Sequence, residues 1–288
     1  MAVLRFTESA REKAWQVFEA VAVASRKDPY LEVIAGDGRH CHGYGFAAAI
    51  YDCSGWSLFH ERFDAEPPLS GEKSCEANLL ALGRAVRRLG HITAEAKESF
   101  VLLHSRRTRN EPRGIHDAHP FKEDTLLRHH SQSVRAEIYL CHNGGVNKQE
   151  LSTALSVENP QMYTDSHLYL KYLVSRIFGC DVEELPRLLT VTISKFKGLS
   201  KSALNLGILV VPHGLEPMLM AVGCVIDKEE KRWNYYEPVL VSAEGLIGCV
   251  SSTVRDVLWS QNAELSLFNL RQARLVHFLF PTPMEYPV

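Results

Sequence analysis

Four polar clusters in this sequence combine side chains that can hold charge or donate hydrogen bonds: His104-Ser105-Arg106, Asp117-Ala118-His119-Pro120-Phe121, His142-Asn143-Gly144-Gly145 and Thr164-Asp165-Ser166. Arg106 offers a planar guanidinium fork suited to a carboxylate, which lysine cannot reproduce. Such groups gathered at strand ends stand where a rigid scaffold best presents a site. Each cluster also has a plain structural reading. Asn143-Gly144-Gly145 reads as a turn, because Asn and Gly tolerate positive φ. Thr164 or Asp165 reads as a helix N-cap, and Arg106, Arg107 and Arg109 read as a solvated basic cluster.

The elements that must position these residues follow from periodicity. A short apolar strand, Ala2 to Phe6, leads into a helix reaching about Ser25, with Ser9 and Glu12 as a capping box and Trp15, Phe18 and Val21 or Ala22 on one face. A second amphipathic helix covers Glu72 to Leu89. Strands are expected at Phe46 to Asp52, Trp56 to Phe63, Phe100 to Ser105 and Val134 to His142. Helices are expected at Lys148 to Ala154, Ser166 to Phe178 and Val182 to Leu189. Strands then return at Leu189 to Ser194, Leu204 to Val211, Leu219 to Ile226, Trp233 to Val241 and Arg274 to Phe280. The clusters sit where strands end, and Arg106 to Ser131 is the longest stretch with no regular period, a place where function concentrates. Strands and helices in separate blocks argue α+β rather than an alternating parallel fold.

Taken in order, the clusters resemble the class II glutamine amidotransferases, glutaminase domains of the N-terminal-nucleophile hydrolase superfamily. That family carries an Ala-His-x-Arg segment at a strand end, a downstream Ala-His-Pro, a strand ending His-Asn-Gly, and an Asp between Ser/Thr residues that opens a helix. His104-Ser105-Arg106, Ala118-His119-Pro120, His142-Asn143-Gly144 and Thr164-Asp165-Ser166 match these, and His42-Gly43-Tyr44-Gly45 is similar to the family's upstream His-Gly-x-Gly. Beside Arg106 the family often has Trp then Ala-Thr, where this chain has Arg107-Thr108-Arg109.

The resemblance implies a single domain over residues 1–288, with motif support for about 2–178 and strand pattern alone for 190–288. Its fold would be a four-layer αββα sandwich of two mainly antiparallel sheets, with Ser202 to Val211 and Tyr235 to Val250 as later strands. It implies that Arg106 binds the α-carboxylate of glutamine, that Asp165 binds its α-ammonium, and that Asn143 and Gly144 form the oxyanion hole. His119 would either approach the substrate or buttress its loop.

The family's nucleophile is a cysteine exposed by removal of the initiator methionine, its α-amine serving as base at a pKa of about 7.7–8.0. This sequence reads Met1-Ala2, and Cys41 has no free amine. Two expectations stand: an upstream Met-Cys precedes Met1 and the protein is a glutaminase, or the chain is an inactive relative that binds glutamine or a γ-glutamyl compound as a regulatory subunit. An active form would either deliver ammonia to a partner synthase subunit or hydrolyse γ-glutamyl amides.

Composition limits other classes. With 288 residues, 45% hydrophobic and 23% charged, the chain has ordinary globular character. A formal charge of −2 gives no electrostatic drive toward nucleic acid or an anionic membrane. The apolar stretch Leu204 to Ile226 is broken by Pro212, His213, Glu216 and Pro217, too short for the roughly 20 residues of a spanning helix. Seven cysteines without a Cys-x-x-Cys pair point to reduced thiols and a cytoplasmic setting. The thirteen histidines, His40, His129 and His130 among them, lack a zinc-binding spacing, so neither metal nor cofactor is expected.

Overall fold

In the computed structural model, residues 1–36, 42–65, 71–106, 114–227, 229–270 and 272–288 are described. His40, Cys41, Arg107, Thr108 and Arg109 lie outside them. In chain order the strands are β1 (Ala2–Thr7), β2 (Tyr44–Asp52), β3 (Gly55–Phe63), β4 (Glu98–Ser105), β5 (Phe121–His129), β6 (Gln132–Val146), β7 (Ser200–Pro212), β8 (Met218–Gly223), β9 (Pro238–Ala243), β10 (Leu246–Ser251), β11 (Ser266–Asn269), β12 (Arg274–His277) and β13 (Met284–Pro287). The helices are α1 (Arg11–Arg26), α2 (Pro29–Ala35), α3 (Gly71–Ile92), α4 (Lys148–Ala154), α5 (Asp165–Ile177), α6 (Leu185–Phe196), α7 (Glu230–Tyr236) and α8 (Ser252–Ser260). The fold is α+β with two large antiparallel sheets.

The chain forms two compact units, residues 1–120 with 228–270 and residues 121–227 with 271–288, so neither is one continuous stretch. In the first, seven strands run in the order β11-β9-β10-β1-β4-β2-β3. Leu4 and Phe6 of β1 pack against Phe18 and Val21 of α1, Leu82, Val86 and Leu89 of α3, and Leu258 of α8. Burying each such side chain is worth about 1.5–3 kcal/mol, and the Phe6 and Phe18 rings meet edge-on at 6.1 Å. In the second unit six strands run β13-β12-β8-β7-β6-β5, and Ile138, Leu140 and Ile208 pack against Leu168, Leu173 and Ile177 of α5 and Leu189 and Ile193 of α6. Each unit is thus a sheet with helices on one face.

Several local expectations need correction. The capping box does not form: a 3-10 turn, Glu8–Ala10, precedes α1, and the Ser9 hydroxyl pairs with that of Thr7 at 3.0 Å. Leu189 to Ser194 is helical, not extended. Leu185, Leu189 and Ile193 are buried at four-residue spacing while Val191 is exposed, so the helical apolar stripe overrides the β-branched composition. Trp233 belongs to α7, and β9 begins only at Pro238. The segment following Val241 includes α8 as well as β10. Most consequentially, Phe121 to His129 is a full strand paired to β6. Its buried face reads Phe121, Thr125, Leu127, with Glu123 among them held by His167 Nε2 at 2.9 Å and Lys171 Nζ at 2.8 Å. A charged residue on that face concealed the strand's period.

Candidate functional site

The second unit carries Asn143, Gly144 and Asp165. The strand β6 continues through Asn143 and Gly144 rather than turning there, and its register with β7 shifts between Gly144 and Val146. The turn reading is therefore incorrect. At Gly144 φ is +154°, and a Cβ would lie 1.9 Å from the Ala203 carbonyl oxygen and 2.8 Å from His142 Nε2. Only glycine lets the β7 backbone approach this closely. The neighbouring Gly145 is differently placed: a Cβ there would make ordinary contacts, 3.6 Å from Asp165 Oδ2 and 3.9 Å from Ser202 Oγ.

The helix cap is supplied by Thr164, whose hydroxyl accepts from the His167 N–H at 3.0 Å, so Asp165 is free of that duty. Asp165 instead spans the bulge. Its Oδ2 accepts the Val146 N–H at 3.0 Å and its Oδ1 accepts the Ser166 N–H at 2.8 Å. The Ser166 hydroxyl lies a further 3.3 Å from Oδ1; a carboxylate has about four acceptor positions, so these contacts leave capacity for another donor. Asn143 is half-exposed, and its side-chain amide has no hydrogen-bond partner among the described residues.

Behind this edge lies a buried relay that the sequence reading passed over. His142 Nε2 is 3.2 Å from the Ala203 carbonyl, which can only accept, so Nε2 carries a proton. Burial pushes the His142 pKa down, with the Asp165 charge and the Ala203 hydrogen bond opposing. Neutral imidazole leaves Nδ1 as an acceptor for the Ser166 hydroxyl at 2.9 Å. His142 thereby ties β6 to both β7 and α5. A buried histidine immediately before Asn-Gly was the available signal.

The first unit carries Arg106 and His119. At the end of β4, Gly45 pairs with His104 and Tyr44 with Ser105. The ladder is prolonged by Arg106 N–H to Gly43 O and His42 N–H to Arg106 O, both 2.8 Å. The Arg106 side chain is buried, with Nη2 3.7 Å from Asp117 Oδ2. The basic-cluster reading therefore fails for Arg106: it points inward to an acid. Asp64, also missed from sequence, is buried nearby. Its Oδ1 accepts from Asn78 at 2.9 Å and its Oδ2 has no hydrogen-bond partner among the described residues. Burial pushes its pKa up, while Asn78, Arg106 and His42 hold it back.

His119 is packed by its ring against His104, centroids 4.5 Å apart, and its carbonyl passes over Gly45, where a Cβ would lie 2.2 Å away. The carbonyls on either side are also held: Ala118 O accepts from Arg62 at 3.3 Å and Pro120 O from His60 Nε2 at 3.1 Å. The segment is fastened to β2 and β3 by its backbone.

Comparison with known proteins adds the following. No family model matches the chain, and no curated protein matches it. Among solved structures it is similar to a glutamine aminotransferase class-II domain protein from Silicibacter pomeroyi, at 15% identity and TM-score 0.43, covering 85% of this chain and 97% of that one. It is also similar to a protein described as a predicted glutamine amidotransferase from Pseudomonas aeruginosa, at 15% identity and TM-score 0.41, covering 98% and 94%. Among the described residues no group of three or more His, Cys, Asp or Glu is placed to hold a metal ion. Among the described residues no helix is long and apolar enough to cross a membrane.

Proposed function

We propose that residues 1–288 form one class II glutamine amidotransferase-type domain that binds glutamine or a γ-glutamyl compound. Arg106 takes the α-carboxylate, Asp165 takes the α-ammonium, and the Asn143 amide with the Gly144 N–H would face the oxyanion formed on attack at the side-chain amide by a nucleophile that Met1-Ala2 does not supply. His119 acts as the buttress of its loop. The observation that carries the reading is the β6 edge. Gly144 is required by the Ala203 carbonyl rather than by a turn, the Asn143 amide is unengaged among the described residues, and the Asp165 carboxylate closes the adjoining bulge with acceptor capacity to spare.

A donor pair of this kind typically contributes about 2.7–4 kcal/mol of transition-state stabilisation per donor. Hydrolysis would yield ammonia for a synthase subunit, or free a γ-glutamyl substituent. The test is thermal unfolding with L-glutamine, where a ligand at 100 times its Kd adds about 2.7 kcal/mol. Stabilisation by glutamine, but not by analogues lacking either α-group, is expected; no stabilisation at millimolar glutamine would refute the reading. Ammonia assays on the same samples separate an amide hydrolase from a binding-only regulatory subunit, and stimulation by a co-purifying synthase would identify the ammonia acceptor.

A further inference from the structure

Arg106 is buried against the Asp117 segment, and a second guanidinium there is half-buried. Arg62, from β3, reaches the same segment, donating to Ala118 O at 3.3 Å, and Asp117 lies between the two guanidinium groups in influence. The Asp117 and Arg106 side chains are 7% and 9% exposed. Asp117 is itself fixed by a short turn, Ile115–Asp117, its N–H bonded to Gly114 O at 3.0 Å. At 3.7 Å, the Arg106 contact is a charge pair longer than the roughly 2.7–3.2 Å of a hydrogen bond. Asp117 thus supplies neutralising charge beside the guanidinium.

We propose that Asp117 is the internal counter-ion of Arg106 and sets how strongly this unit takes up a carboxylate ligand. The inference rests on the reading that Arg106 receives the α-carboxylate of glutamine. A second carboxylate arriving at Arg106 is repelled by Asp117 while being attracted by the guanidinium, and in a buried setting neither effect is screened by water. Removing the Asp117 charge has two consequences of the same sign. The repulsion disappears, and the buried guanidinium loses one acidic neighbour while Asp64 remains, so the ligand's carboxylate takes over part of that compensation. Opposing them is the loss of some ordering of the Arg106 side chain, a smaller effect for a group already enclosed. Arg62 acts in the reverse sense, because its positive charge offsets part of the repulsion that Asp117 exerts on a carboxylate.

The experiment compares L-glutamine with L-glutaminamide, whose α-carboxylate is replaced by a neutral amide, by calorimetric titration of the full chain. In wild type glutamine should bind more tightly. Asp117→Asn should widen the glutamine-to-glutaminamide ratio about tenfold, equivalent to about 1.4 kcal/mol, and Arg62→Gln, which keeps a donor for Ala118 O, should narrow it. A purely structural Asp117 would weaken both ligands alike. An unchanged or narrower ratio in Asp117→Asn overturns the inference while leaving the carboxylate assignment standing; a wild type with no preference overturns both. If Asp117→Asn does not fold, Arg62→Gln decides alone, and a widened or unchanged ratio there overturns the inference.

Discussion

Gly144→Ala and Gly145→Ala alter adjacent residues by the same single methyl group and should have opposite effects. A Cβ on Gly144 would sit 1.9 Å from the Ala203 oxygen and 2.7 Å from its carbonyl carbon, at a φ of +154°. That oxygen cannot simply rotate away, because His142 Nε2 holds it at 3.2 Å. Forcing a methyl into a packed backbone contact costs about 1–3 kcal/mol, and the sparsely populated φ adds about 1–3 kcal/mol. A total of about 4 kcal/mol corresponds to a fall in Tm on the order of 10 °C for a chain of this size. At Gly145, φ is not positive and the methyl meets atoms only at 3.6 and 3.9 Å. Alanine there should be neutral or stabilise by about 0.4–1 kcal/mol through the unfolded chain. Thermal melts of the two variants, followed by near-ultraviolet circular dichroism, measure the contrast. A Gly144→Ala protein melting within about 2 °C of wild type, or a Gly145→Ala protein melting lowest, would refute the close approach of β7.

Arg106→Lys should weaken glutamine binding at least about tenfold, since a point charge replaces a bidentate fork; unchanged affinity by titration would refute the carboxylate assignment. Asp165→Asn retains a carbonyl acceptor for the Val146 N–H but turns an NH2 group toward the Ser166 N–H and removes the charge, so it should abolish glutamine-dependent stabilisation and lower ligand-free stability by about 1–3 kcal/mol; equal glutamine-dependent stabilisation in the two proteins would argue that Asp165 is structural alone. His142 should make stability depend on pH. Its pKa is depressed in the folded state, so the unfolded chain takes up the proton first: the contribution is fully present above the unfolded value of about 6.5 and is lost as pH falls from there toward the folded pKa. Urea unfolding between pH 7.5 and 5 should show this slope (assay range on the order of the unfolded pKa ± 1), reduced by at most about 1.4 kcal/mol per pH unit in His142→Gln. An identical slope in that variant would exclude the assignment.

How much of this was legible in the sequence differs from element to element. The helices α1, α3, α4 and α5 and the strands β1, β2, β3 and β7 could be read because their apolar spacing matches the face each presents to a helix-and-sheet core. Arg106, His119, Asn143, Gly144 and Asp165 could be named as candidates by type and order. Local chemistry misled where a long-range partner changes the meaning of a residue. Glu123 hid β5 because its neutralising His167 and Lys171 lie on α5, the nearer of them 44 positions away in the sequence. The period within α6 was masked by β-branched residues until its buried stripe was seen against the second sheet.

The same division holds at the site. Sequence determined which groups are present: a guanidinium, a carboxylate, an amide and a glycine pair in a fixed order. Only the tertiary structure decided that Gly144 is constrained by Ala203, that Thr164 takes the capping role and leaves Asp165 for the bulge, and that Arg106 already faces Asp117. The physical reason is that hydrogen bonds and ion pairs in a buried setting are set by distances between strands and helices remote in sequence. Residue type limits what a side chain can do, and packing selects which of those interactions it makes.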